Sequence, residues 1–194
     1  MVPDTHQRTY CNEPVLSPDD NHAIALGSQL RYEYPSLFYT DTRSLNTTKK
    51  TDLEHYACSL KPDVIALTET WLTDKNEETG SINNDNMFTA HRCNSQVGSS
   101  VCVYVNSLMN AIKIDSMVTK TNSAVWVRIM KPKQQSIIIG CLYHPTSKTG
   151  QDSTNTIDYL AKLSNRYKNS KFILFRDFNH LSMEAISEAF RLCK

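Results

Sequence analysis

The stretch Pro62-Asp-Val-Ile-Ala-Leu-Thr-Glu-Thr-Trp71 decides how the rest of the chain is arranged. It opens with the turn signal Lys61-Pro62 and continues as a short apolar run rich in β-branched residues. Such a run is typical of a strand buried on both faces of an α/β sheet, and ligand sites in these sheets lie just outside the carboxyl ends of the strands. Glu69 stands at that position. Taken alone, the stretch favours the simpler interpretation, in which Glu69 begins a solvated loop.

The residues before this stretch complete a βαβ unit. A first strand is predicted at 36–40, and Asp41 begins the polar loop at its carboxyl end. Apolar residues then recur at helical spacing from Thr51 to Leu60, and Lys61-Pro62 stops the helix. The two strands are therefore expected to be parallel, with a right-handed crossover.

The residues after it change character. Five strand-like segments separated by short polar turns predict an antiparallel meander, and they cover 87–92, 101–105, 111–115, 125–129 and 136–143. A helix at 154–167, a buried strand at 171–177 and a last helix at 183–193 follow. The mixture of parallel and antiparallel signals predicts an α/β sandwich with two sheets.

Composition sets further bounds. The chain has 194 residues, 40% of them apolar, and a formal net charge of +1, so a global basic field for nucleic acid is absent. Six scattered cysteines show no CxxC spacing, which argues against a zinc site. No apolar run reaches membrane-spanning length.

Residues 1–34 are rich in Pro, Asp and Asn with little periodicity, and they predict a loosely ordered leader before a domain over 35–194. The leader contains no apolar signal-peptide core. We therefore expect a soluble intracellular protein, nuclear or cytoplasmic, with reduced thiols.

Carboxylates recur where buried strands end. The run Lys171-Phe-Ile-Leu-Phe-Arg-Asp177 repeats the pattern of a basic turn, an apolar strand and a terminal carboxylate, and Asn179 follows two residues later. Tyr143-His144-Pro145 ends another predicted strand. Hard oxygen ligands of this kind suit Mg²⁺, which beside a phosphate neutralises charge developing on the phosphoryl oxygens. The pattern predicts metal-assisted phosphodiester hydrolysis.

Four motifs in this order carry a resemblance to a known family. They are Pro62–Trp71, Val101–Val105, Ile139–Pro145 and Phe172–Asn179. Together they resemble the endonuclease/exonuclease/phosphatase superfamily, whose fold is the DNase-I-like four-layer α/β sandwich. The Leu-Thr-Glu-Thr-Trp form is most similar to the endonuclease domains of non-LTR (LINE-type) retrotransposons. The resemblance covers about residues 36–192.

The resemblance implies roles for individual residues. Glu69 would bind Mg²⁺ or Mn²⁺, and Asp177 would position or activate the attacking water. Asn179 would stabilise the phosphate in the transition state, and Tyr143 would contact the scissile phosphate. Asp41 occupies a position that is Asn in the family, where it helps to hold the metal; as an oxygen ligand it keeps metal binding possible but loses an amide donor.

Departures from the family pattern concern the substrate side of the site. Arg176 replaces a Gly before Asp177, where its long side chain would crowd the site or pair with that carboxylate. His144 replaces an Arg, exchanging a permanent cation for a titratable one. Both are assigned to substrate binding, with a solvated loop position as the simpler interpretation for His144. Trp71 is interpreted as packing under the site.

The family closes with a Ser-Asp-His motif that supplies the catalytic imidazole, and the chain is expected to lack it together with the C-terminal strands that carry it. Three hypotheses follow: a LINE-type DNA endonuclease impaired in this chain, a catalytically inactive retrotransposon-derived remnant, and a phosphoesterase with a non-DNA substrate. The implied partners are the DNA phosphate backbone and a downstream reverse transcriptase domain, with a monomeric chain and no membrane. An exposed sheet interior predicts poor solubility.

Overall fold

The computed structural model describes residues 34–91, 100–119, 122–144, 150–178 and 183–191. The predicted leader therefore lies outside the described residues, apart from Tyr34. Within the described part of the chain, no helix is long and apolar enough to cross a membrane.

Eight strands and three α-helices follow one another in the described residues. In chain order they are β1 (Leu37–Asp41), α1 (Thr47–Leu60), β2 (Val64–Thr68), β3 (Asp85–Ala90), β4 (Val101–Asn106), β5 (Ala111–Val118), β6 (Ser123–Ile129), β7 (Ile137–His144), α2 (Gly150–Arg166), β8 (Lys171–Phe178) and α3 (Met183–Arg191). A short 3₁₀ turn at Glu77–Gly80 lies between β2 and β3.

The strands form two four-stranded sheets. The first has the order β1-β2-β4-β3 and the second the order β5-β6-β7-β8. The predicted parallel pairing of β1 with β2 around a helix is confirmed, and Asp41 pairs with Thr68 in its register. The predicted continuous meander is wrong, because β3 and β4 form an antiparallel pair in the first sheet while β5, β6 and β7 form the meander of the second.

Three apolar clusters arrange these elements in four layers, as predicted for the DNase-I-like sandwich. One cluster lies between the sheets and includes Val64 and Ala66 of β2 facing Ile139 of β7. A second packs the outer face of the first sheet against α1, through Leu53. The third packs the second sheet against α2 and α3. The order of layers is therefore helix, sheet, sheet, helices.

Helix α1 differs from its prediction in extent and in burial. It begins four residues earlier than expected, because the side chain of Asn46 caps it by accepting a hydrogen bond from the Lys49 amide at 3.0 Å. It ends as predicted before Pro62, with Lys61 in the left-handed conformation. Tyr56 and Leu60 were expected on the core face, yet both are largely exposed, and Leu53 is the fully buried residue of the helix.

Three cysteines lie in the described part of the chain, and two of them are buried thiols. Cys102 and Cys141, which lie in the apolar strands β4 and β7, are free and fully buried. Burial raises the pKa of both thiols well above the ordinary range. Cys58 is disulfide-bonded, so the prediction of reduced thiols is wrong at this position.

Candidate active site

Glu69 follows β2 directly and has an uncommon backbone conformation. Every residue of β2 is buried, which confirms the strand buried on both faces. Glu69 is half-buried and left-handed, with φ 51°, and Trp71 is left-handed as well, with φ 59°. For side chains of this size such a conformation is strained and persists only where the surroundings enforce it. Thr70 between them is buried and hydrogen-bonded to Ser100 through both side-chain hydroxyls at 2.8 Å.

Tyr39 joins the two sheets beside Glu69. Its hydroxyl donates to the backbone carbonyl of Arg176 in β8 at 2.9 Å and lies 3.2 Å from the hydroxyl of Thr68 at the end of β2. Its ring stacks on Phe175 with centroids 5.7 Å apart. The carboxyl ends of β1, β2 and β8 therefore meet at one edge of the sandwich. The sequence analysis missed Tyr39, although its position two residues before Asp41 places both on one face of β1.

A second contact fixes the relative direction of β1 and β8. Tyr34 precedes β1, and its hydroxyl accepts a hydrogen bond from Nζ of Lys171, the first residue of β8, at 3.1 Å. Five residues later in each strand, Tyr39 meets Arg176. The two strands thus run in the same direction across the sandwich. Since β7 is parallel to β8, the end of β7 belongs to the same edge.

Asp41 lies at this edge beside β2. Its Cα pairs with that of Thr68, the residue before Glu69. One oxygen, Oδ2, is 3.5 Å from Nε of Arg43, and the other, Oδ1, accepts from the Arg43 amide at 3.4 Å. Arg43 itself is 81% exposed, so this ion pair is a weak surface interaction that leaves the carboxylate accessible.

Tyr143 and Asp177 are neighbours across β7 and β8. Their Cα atoms are partners in the parallel register, which places Asp177 beside Tyr143 at the shared edge. Tyr143 is half-buried and packs against the cluster between the sheets. Asn179 was predicted at the same edge, but it lies outside the described residues.

His144 and Arg176 fall on the opposite face of the second sheet. Successive strand residues alternate between faces, so His144 shares the side of Leu142 and Arg176 shares the side of Leu174. Leu142 and Leu174 belong to the cluster under the helices. His144 is only 1% exposed, so its interpretation as a solvated loop residue is wrong. Alternation also turns both residues away from the face of Tyr143, which removes the geometric support for assigning them to substrate binding.

Trp71 and His91 complete this edge. Trp71 is 40% exposed, so the interpretation that it packs beneath the site is wrong. His91 follows β3, which runs in the same direction as β2, and its Nε2 bonds the carboxylate of Asp74. Two inter-strand spacings separate β3 from β2, which is roughly 10 Å. His91 therefore holds the loop after Trp71, and β4 lies between its strand and that of Glu69.

The sequence and the fold of the chain were compared with those of known proteins. No family model and no curated protein sequence matches the chain. Solved structures do match. The endonuclease domain of TRAS1, a telomere-specific non-LTR retrotransposon, is similar over 82% of this chain and 73% of that domain, with a TM-score of 0.61 and 13% identity. An endonuclease/exonuclease/phosphatase family protein from Bacteroides thetaiotaomicron is similar over 80% of this chain and 69% of that one, with a TM-score of 0.59 and 10% identity.

The chain has the endonuclease/exonuclease/phosphatase fold. TDP2 from D. rerio, in complex with a single-strand DNA product, is also similar, with a TM-score of 0.55 and 14% identity. That alignment covers 79% of this chain but only 64% of TDP2. The chain thus spans less than two thirds of this neighbour and is partial relative to it.

The carboxylates at the shared edge are of a type that can serve as ligands to Mg²⁺. Mg²⁺ needs only one or two protein carboxylates, with waters and phosphate oxygens as its other ligands. Asp41 and Glu69 provide two carboxylates at adjacent strand ends. Among the side chains that the structure describes, no group of three or more His, Cys, Asp or Glu residues is placed to hold a metal by itself.

Proposed function

We propose that this chain is a metal-dependent phosphodiesterase domain that nicks DNA, of the kind found in non-LTR retrotransposons. The observation that carries the proposal is the double hydrogen bond of Tyr39, which brings the ends of β1, β2 and β8 to one edge. That edge holds Glu69 and Asp41, and the register adds Tyr143 and Asp177. The similarity of fold to the TRAS1 endonuclease domain supports the choice of DNA as substrate.

Each residue has a part in the proposed chemistry. Glu69 and Asp41 would hold Mg²⁺ or Mn²⁺, which supplies charge neutralisation at the phosphoryl oxygens when bound. Tyr143 would donate a hydrogen bond to the scissile phosphate. Asp177, its partner in the register, would accept a proton from the attacking water and orient it. Asn179 would donate to a phosphate oxygen.

Nicking of supercoiled plasmid tests the proposal. We expect slow conversion to the open circle that requires Mg²⁺ or Mn²⁺, is stopped by chelation, and is lost in Glu69→Gln. Glu78→Gln is a matched control, because Glu78 is an exposed carboxylate in the 3₁₀ turn. Nicking by Glu69→Gln at the wild-type rate contradicts the assignment of the site.

The same preparation separates the two other hypotheses. A phosphomonoester such as p-nitrophenyl phosphate, hydrolysed faster than plasmid and with the same dependence on Glu69, indicates a phosphoesterase with a non-DNA substrate. Binding of Mn²⁺ and DNA without hydrolysis of either substrate indicates the inactive remnant. A downstream sequence encoding Ser-Asp-His and then a reverse transcriptase supports the retrotransposon origin independently of activity.

A further inference from the structure

The backbone on the amino side of Glu69 is fixed by Thr42. The Thr68 carbonyl accepts two hydrogen bonds from this one residue, from the Thr42 amide at 3.0 Å and from its Oγ1 at 2.9 Å. Thr42 is buried, so these bonds are shielded from water. They hold the peptide group between Thr68 and Glu69 in one orientation, which restricts φ of Glu69.

The peptide group on the carboxyl side of Glu69 is held from both ends. Its carbonyl accepts from the Ser44 amide at 2.7 Å and lies 3.1 Å from Oγ1 of Thr42, whose single proton it shares with the Thr68 carbonyl. Its N–H, which belongs to Thr70, donates to the Ser100 carbonyl at 3.0 Å. With both flanking peptide groups fixed, the left-handed conformation of Glu69 is imposed by its surroundings.

Lys49 holds the loop that makes these bonds. Its Nζ donates to the Thr42 carbonyl at 2.5 Å and to the Arg43 carbonyl at 3.0 Å. The peptide group between Arg43 and Ser44 thus accepts from Lys49 at its oxygen and donates to Glu69 at its nitrogen. Arg43 and Ser44 are both left-handed, with φ 42° and 85°, and the ammonium group stabilises the turn that they form.

The position of Lys49 in α1 is unfavourable for the helix itself. Its amide is bonded to the Asn46 cap, which places it in the first helical turn. Cations destabilise this end of a helix because the helix dipole is positive there, and the first turn of α1 contains no acidic residue. The stabilisation of α1 therefore does not account for Lys49, whereas its two bonds to the loop do.

We propose that Lys49, acting through Thr42 and Ser44, is a positioning residue that holds Glu69 in its left-handed conformation and so aims its carboxylate at the metal. The inference rests on the proposed function for the metal, but the hold on the Glu69 backbone does not. Lys49 touches neither metal nor substrate in this scheme. One connection from Lys49 passes through the peptide group between Arg43 and Ser44, and a second passes through Thr42, whose carbonyl Lys49 also binds.

Two measurements on the full chain test this. Amide hydrogen exchange at Ser44 and Thr70 reports how stable the hydrogen bonds of the Glu69 carbonyl and the Thr70 amide are. Mn²⁺ titration followed by electron paramagnetic resonance reports the affinity of the site for the metal. We expect Lys49→Met to speed exchange at both amides and to weaken Mn²⁺ binding by about tenfold, the usual effect of losing a group that orients a ligand. Lys49→Arg keeps donors for the two carbonyls, so it should restore most of the protection from exchange and most of the Mn²⁺ affinity.

Thr42 gives an independent pair of variants. Thr42→Val keeps the shape and removes the hydroxyl, whereas Thr42→Ser keeps the hydroxyl. We expect the first to weaken Mn²⁺ binding and the second to retain it. Lys50→Met is the control for charge, because Lys50 lies next in α1 and pairs with Glu54 at 3.6 Å on the helix surface.

The outcomes distinguish a failure of the Lys49 inference from a failure of the proposed metal-dependent function. Unchanged exchange in Lys49→Met overturns the inference, and so does an equal loss of Mn²⁺ affinity in Lys50→Met or no rescue by Lys49→Arg. If the wild-type chain binds no Mn²⁺, the proposed function fails, and the exchange data still decide whether Lys49 holds Glu69.

Discussion

At the scale of single residues, Glu69 combines backbone strain with its proposed role as a metal ligand. Left-handed backbone is unfavourable for a residue with a Cβ, and the hydrogen bonds of Thr42, Ser44 and Ser100 enforce it here. Strain of this kind persists where function requires it. Removing the side chain should therefore affect stability and function in opposite directions.

Glu69→Gly tests this. Glycine accepts φ 51° without penalty, which offsets its larger loss of chain entropy on folding. We expect a free energy of unfolding that is unchanged or raised by about 0.5–1 kcal/mol, with nicking abolished. Urea unfolding followed by circular dichroism measures the first effect. Glu78→Gly, in the 3₁₀ turn and without positive φ, should instead lose about 0.5–1 kcal/mol, and a similar loss in Glu69→Gly argues against strain.

The free thiols of Cys102 and Cys141, which lie in the part of the chain that the structure describes, should be inert in the folded protein. Burial raises the pKa of Cys102 and Cys141, so neither forms the reactive thiolate at ordinary pH. The Sγ of Cys141 also donates to the Leu67 carbonyl at 3.3 Å. We expect both to resist a disulfide reagent up to pH 9 and to react at once in denaturant. Fast labelling of either thiol in native buffer contradicts their burial.

At the scale of elements, Tyr39 connects three strands that are far apart in sequence. Each flanking strand was recognisable from its own apolar pattern, but no local pattern shows which strand ends meet. The stacking of Tyr39 on Phe175 and the two hydrogen bonds of its hydroxyl join the end of β1 to the ends of β2 and β8. Tyr39 should therefore contribute both to stability and to the alignment of the strand ends at the proposed site.

Tyr39→Phe retains the stacked ring and removes the hydroxyl. We expect the free energy of unfolding to fall by about 0.5–1.5 kcal/mol for each of the two hydrogen bonds lost, and plasmid nicking to slow. Tyr56→Phe is the matched control, since the Tyr56 ring stacks on Phe38 and is 52% exposed. Equal effects of the two substitutions would show that the hydrogen bonds of the Tyr39 hydroxyl do not stabilise the protein more than an exposed tyrosine hydroxyl does.

At the scale of the whole molecule, β1 and β8 end their sheets side by side. Each is the outer strand of its sheet among the described residues. Leu37 of β1 is 40% exposed at this boundary. Outer strands with neighbouring apolar side chains favour association between copies.

Leu37→Lys should reduce this association, because a charge on an outer strand opposes edge-to-edge pairing. We expect lower light scattering at rising protein concentration and a larger monomer fraction in sedimentation. Leu108→Lys adds the same charge in the turn between β4 and β5, where Leu108 is 90% exposed. If Leu108→Lys improves solubility equally, the gain comes from net charge and not from the strand edge.

The sequence by itself determined the elements and several of their ends. Local periodicity identified β2 and β8, the helices and the carboxylates that follow the strands, because burial on one or both faces imposes a repeat on neighbouring residues. Alternation along β7 also predicts that His144 and Tyr143 lie on opposite faces of the sheet, since adjacent strand residues face opposite sides. Its assignment beside Tyr143 followed the motif instead of that rule.

Only the tertiary structure decided which ends share one edge. The division of the predicted meander between two sheets, the Tyr39 bridge and the bonds of Thr42 and Ser44 to the carbonyls of Thr68 and Glu69 all depend on contacts between residues distant in the chain. The left-handed conformation of Glu69 is of the same kind, because Glu carries no local preference for it and long-range hydrogen bonds impose it. Local sequence therefore specifies where a carboxylate follows a strand, and non-local packing specifies where that carboxylate is held.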